Sequence, residues 1–339
     1  MNVYHNSAFY GHDRYAKKLK PLAIQKTFFW EMQEIHIPAV YLGKSGAVLD
    51  ICAKISVEAM AAFLKKWHRR QTTAESANNM KNTIITMEAL DEMQAENPAH
   101  GDFAIDMCLD HTPLTRRISS SLQWYPSDIL QKQSANEIWK NEKEAEQLMD
   151  AYHCDRSFCW HFGRISYDWD KPILSPQKIC LQLKDHPVSL TAEHFTTNGP
   201  CGGKTITSFH PVTGQKYTLT LHGCEPMQTD FTGIGKKGIL YPEYSQLLSY
   251  DISPNADRTV LDIKDCSDCD EPKSIQKKYS HADGASAVFW AGKNTDPKLR
   301  TALSSLHFKP VSEIQWRIVY FIKRREDMEI SFLLPQAPP

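Results

Sequence analysis

The chain has 339 residues, 41% hydrophobic and 23% charged, which suits one large or two ordinary globular domains and excludes a largely disordered polypeptide. Lysine plus arginine number 39 against 40 aspartate plus glutamate, so no net field draws nucleic acid or an anionic membrane. No stretch approaches the ~18 apolar residues of a bilayer span, no basic start followed by an apolar run marks a secretory signal, and nine cysteines at irregular spacing suit a reducing compartment; a cytoplasmic location is expected.

In chain order, the most basic stretch, "RYAKKLKPLAIQK" (14–26), reads as a solvated face. "AVYLGKSGAVLDICAKIS" (39–56) reads as a hairpin turning at Gly43–Gly46. Ser56 then caps a helix whose Val57, Met60, Phe63, Leu64 and Trp67 fall on one stripe. A second helix is expected around Ile84–Met93. Alternation of Phe103, Ile105, Met107 and Leu109 predicts a half-buried strand. Ser134 and Glu137 form a capping box for a helix carrying Ile138, Ala145, Leu148 and Tyr152.

After residue 156 short alternating runs dominate. "SFCWHFGRISYDWD" (157–170) reads as strand, bulge at Gly163, strand. "KYTLTLHG" and "RTVLDIKD" are further strands, "DPKLRTALSSL" (296–306) a short helix, and 313–334 a hairpin turning at Arg325–Asp327. The expected fold is α+β. Residues 1–155 would form an α+β domain of hairpins with two or three helices, and 156–339 a mainly antiparallel β domain, a sandwich or curved sheet. Residues 107–126 and 180–200 echo one another as strand, Asp-His beside a proline, strand, which fits either a duplicated hairpin or chance.

"NGPCGGKT" (198–205) ends like a phosphate loop, but the β-branched "ITSFHPVTGQ" behind it leaves no helix N-terminus to face a phosphate. "SHADGASAVFWAG" (280–292) resembles a segment of the membrane-embedded β subunit of sodium-pumping decarboxylases. The transmembrane helices that give that segment its role have no counterpart here, so nothing is carried over from it.

Metal-ligand chemistry is concentrated in the second half. Cys266 and Cys269 have the C-x-x-C knuckle spacing inside an acidic run, with Cys201, Cys224 and His222 (or His210) as partners for a tetrahedral zinc. The surrounding acids raise thiol pKa values, which disfavours redox work and favours a cation. His153, Cys154, Cys159 and His161 form a second mixed set. Trp160, Tyr167 and Trp169 are a candidate stacking platform for a ligand, set against ordinary cross-strand packing.

No G-x-S-x-G, H-E-x-x-H or G-x-G-x-x-G occurs. Two functions stay open. One is a soluble non-catalytic binding or interaction protein for a protein or small-molecule ligand, stabilised by a metal. The other is a zinc-dependent hydrolase built on the Cys/His cluster, in which zinc makes a nucleophile of bound water.

Overall fold

The computed structural model describes residues 2–11, 16–77, 86–99, 103–127, 129, 142–169, 173, 176–230, 239–240, 242–266, 280–281 and 299–334. The chain divides into two units: residues 1–83, 96–187 and 323–339 form the first, residues 84–95 and 188–322 the second.

The first unit rests on two antiparallel sheets. One has the order β1 (Lys20–Trp30), β2 (Gln33–Leu42), β3 (Gly46–Ile55), β7 (Cys159–Asp168), β6 (Thr115–Trp124). The other runs β18 (Met328–Leu333), β8 (Lys178–Asp185), β4 (Phe103–Leu109), β5 (Thr112–Pro113). Their facing side chains, among them Leu49, Ile51, Ile105, Met107, Ile165, Leu181 and Leu183, make one core. The outer face of the five-stranded sheet is also covered, because Cys52, Trp160 and Phe162 pack with Leu148, Met149 and Tyr152 of and just after a helix at Lys143–Ala151. That double covering is why β3 and β7 are buried almost throughout instead of alternating.

The second unit is another sheet pair. The order β10 (Thr205–Phe209), β11 (Lys216–Gln228), β13 (Tyr244–Ser253), β16 (Arg300–Leu303) faces the order β14 (Leu261–Asp265), β17 (Glu313–Ile322), β9 (Val188–Asn198). Leu219, Leu221, Tyr250, Ile263, Trp316 and Tyr320 fill the space between. A two-stranded parallel pair, β12 (Ile239–Leu240) and β15 (Ser280–His281), stands apart from these sheets.

The α+β expectation is corrected: the structure is mostly β, with strands far outweighing helices and arranged mainly in antiparallel sheets. Among the described residues the helices are α1 (Val57–Ala77), α2 (Met87–Glu96) and α3 (Lys143–Ala151). The α1 stripe is present, with Met60, Phe63, Leu64 and Trp67 buried and Ala59 N–H donating to Ser56 Oγ at 3.2 Å. Helical period therefore located helices without weighing them against the strands. β1 lacks a readable alternation, since this edge strand buries only Ile24 and Trp30 and slips register between Ala23 and Lys26. The Ser134 capping box lies outside the described residues.

Three smaller expectations also change. β7 runs unbroken past Gly163, which pairs with Ile51; the irregularity lies on β6 between Arg116 and Ser119. Arg300–Leu303 is a strand pairing with β13, not a helix. Residues 313–334 are no hairpin, because β17 pairs with β9 and β14 while β18 pairs with β8. Each reflects long-range pairing, which sequence-local patterns do not encode. No helix among the described residues is long and apolar enough to cross a membrane.

Candidate metal centre

The outer face of β14–β17–β9 carries a row of polar side chains. Lys264, Arg317 and His194 stand abreast on the three strands, in register with one another. Three cationic or ionisable side chains in a row need carboxylates, and α2 supplies them. Thr86 caps this helix, its Oγ1 accepting from Ala89 N–H at 3.1 Å. Glu88 and Asp91, three residues apart, share one helix face.

Asp91 Oδ2 accepts from Arg317 at 2.7 Å and from Lys264 at 3.0 Å. Arg317 also donates to Thr191 Oγ1 at 2.9 Å. Its side chain is 1% exposed, so the pair works in low dielectric and fixes the helix over the sheet. One turn earlier, Glu88 Oε1 lies 3.0 Å from His194 Nε2.

Cys266 follows β14 directly, its N–H bonded to Gln315 O at 2.9 Å, so it falls on the same outer face as Lys264. One donor atom each from Glu88, His194 and Cys266 lie within 4.8 Å of one another, the one such group of three or more among the described residues. Burial, then the Glu88 carboxylate, push the Cys266 thiol up to about 11, against the opposing pull of Arg317. Without a cation this thiol keeps its proton at neutral pH and is a poor nucleophile. A divalent ion would displace that proton and use the thiolate as ligand. Sulfur, imidazole and carboxylate together suit zinc, whose ligand atoms sit roughly 3.5 Å apart in a tetrahedron. Lys264, Asp265, Ser304, Ser305, Arg317 and Met87 line a neighbouring concavity of 380 Å³.

The structure groups the other sequence candidates differently. Cys269 lies outside the described residues. Cys201 and Cys224 are neighbours, each thiol near enough for Cys224 to help raise the Cys201 pKa after burial does. Cys224 donates to Gln246 Oε1 at 3.5 Å. His222 sits at a register shift of β11 and pairs its Nε2 with Asp251 Oδ2 at 2.8 Å. His210 accepts the Val212 and Thr213 N–H groups in a turn, at 3.2 Å each.

In the first unit, Cys154 contacts Cys52, whereas His161 faces a separate cavity of 160 Å³ with Gly163 and Ile165. Trp160 and Tyr167 are buried in two different cores, on opposite faces of β7. Trp169 donates to Lys44 O at 2.9 Å, so the three aromatics do not form one surface. Behind the glycine loop at 199–203 comes the strand β10, with no helix to face a phosphate.

Glu88 and His194 were not among the sequence candidates. They are 106 residues apart, and neither belongs to a ligand-spaced motif. The one local signal is the Glu88/Asp91 helical pair, whose meaning depends on the basic row beneath it.

Comparison with known proteins finds no matching family model, no matching curated protein and no matching solved structure.

Proposed function

We propose that the chain is a non-catalytic binding protein whose second unit is held in shape by one zinc ion at Glu88, His194 and Cys266. The observation that carries this reading is the convergence of carboxylate, imidazole and thiol donors from one helix and two strands. An ion there would tie α2 to β9 and to the end of β14, adding metal bonds to the Asp91–Arg317 pair. A closed structural site takes a fourth ligand besides these three.

A zinc-dependent hydrolase is the second reading. It is favoured by the 380 Å³ concavity beside the cluster, since three protein ligands and an open position make a catalytic zinc. Metal analysis of protein purified without chelator tests both. About one zinc per chain, lost in Cys266→Ser and in His194→Ala, is the expected result. Loss of zinc with a lower unfolding midpoint supports the structural site. Loss of ester or peptide hydrolysis with an unchanged midpoint supports the hydrolase, and absence of zinc overturns both.

A further inference from the structure

The four-stranded sheet of the first unit carries a dithiol of its own. Cys108 on β4 and Cys180 on β8 are direct cross-strand partners. Ile105, Met107, Leu109, Ile179, Leu181 and Leu183 point into the core, so strand alternation puts both cysteines on the opposite face. There they are half-buried free thiols. Their surroundings are those of an accessible polar surface: Lys184 Nζ donates to Asp106 Oδ2 at 2.7 Å, and Cys180 Sγ donates to Glu329 Oε1 at 3.3 Å.

We propose that Cys108 and Cys180 are a modification site, a dithiol that exchanges with small-molecule disulfides of the glutathione class to form one cross-strand disulfide. Directly opposed antiparallel residues have Cα atoms about 4.5–5.5 Å apart, inside the roughly 4.4–6.8 Å that a disulfide spans. The register need not slip, though the two Cβ atoms must draw together from about 4.5–5.5 Å to about 3.5–4.5 Å by a local twist of the strands. In the first step one cysteine thiolate attacks the small disulfide, forming a mixed disulfide and expelling one small thiolate. The second cysteine thiolate then attacks the protein sulfur of that mixed disulfide and expels the other. Two protein thiols and one small disulfide become one protein disulfide and two small thiols, so electrons and protons balance.

Another thiol pair shows why this one is singled out. Cys52 contacts Cys154, but Cys52 is wholly buried in the core beneath α3, where a dissolved disulfide cannot reach it. The Cys108–Cys180 pair needs no opening of the fold.

The test is incubation of the native full chain with oxidised glutathione, alkylation of remaining thiols, and mass spectrometry of a non-reduced digest. The expected result is a linked peptide pair containing Cys108 and Cys180, two hydrogens lighter than the separate peptides, formed before any Cys52–Cys154 link. Cys108→Ser and Cys180→Ser should each lose that link and retain a glutathione adduct on the remaining cysteine. Full alkylation of both wild-type cysteines would overturn the proposal. So would glutathione adducts on both without a link, or the same link appearing only in denaturant. The site lies in the first unit, so the outcome is independent of the zinc measurement.

Discussion

Asp50 and Arg164 illustrate how single residues hold the first unit. They are cross-strand partners on β3 and β7, with side chains 1% and 5% exposed. Arg164 donates to both Asp50 oxygens, at 2.8 and 2.6 Å, and Tyr152 OH also donates to Asp50. Asp50→Ala would take the carboxylate away from a buried guanidinium and should cost about 3–5 kcal/mol. The Asp50→Ala, Arg164→Met double variant should recover much of that loss, as read from urea midpoints; equal losses in the two variants would contradict the pairing argument. His161 gives a pH signature. Burial alone pushes its imidazole down to about 4, against about 6.5 in an unfolded chain. Between those values the unfolded chain binds the extra proton. The contribution is therefore complete above pH ~6.5 and is lost as pH falls toward 4, by about 3 kcal/mol in all. His161→Leu should flatten this part of the stability–pH curve, and an unchanged acid slope in urea titrations at pH 7, 5.5 and 4 would refute the assignment.

At the scale of elements, the β3–β7 pair is sensitive to backbone change, and β7 carries the milder case. A Cβ at Gly163 would approach Ile51 Cγ2 to 2.9 Å, so Gly163→Ala should cost about 1 kcal/mol as Ile51 shifts. At Gly46, which opens β3, a Cβ would collide with the Tyr167 carbonyl, a backbone atom that cannot yield. Gly46→Ala should therefore be the worse substitution, by roughly 2 kcal/mol or more in thermal or urea unfolding; the reverse order would disprove the packing described. The same strand shows what sequence could reveal. Alternation of Trp160 and Phe162, then Ile165 and Tyr167, looked like a slipped register because residues on both faces are apolar. Only the covering of the second face by α3 explains the pattern, and that covering is a long-range fact. The β2–β3 turn, by contrast, was legible from Gly43 and Gly46, since Gly43 N–H donates to Gly46 O at 3.0 Å in a contact local in sequence. Cys266 was legible as a candidate ligand through its spacing from Cys269. Glu88 and His194 were not, because a strand pairing and a helix docking bring them to it.

For the whole molecule, each unit has hydrophobic clusters of its own, so a perturbation can be assigned to one unit. On the proposed zinc site, chelation should speed amide hydrogen exchange in β9, β14 and α2, which carry or flank the proposed ligands, and leave β3 and β7 at their original rates. Uniform acceleration across both units, or none, would contradict a local structural metal. The chain order of the strands has its own consequence. β18 completes the β8–β4–β5 sheet, yet residues 188–322 of the second unit lie between β8 and β18. On the ribosome, β8 must therefore wait with an unpaired edge, and with Leu181 and Leu183 awaiting part of their cover, while the second unit is translated. At ordinary elongation rates of about 5–20 residues per second that interval is roughly 7 to 27 seconds, long enough for the newly made first unit to be a client of a ribosome-associated chaperone.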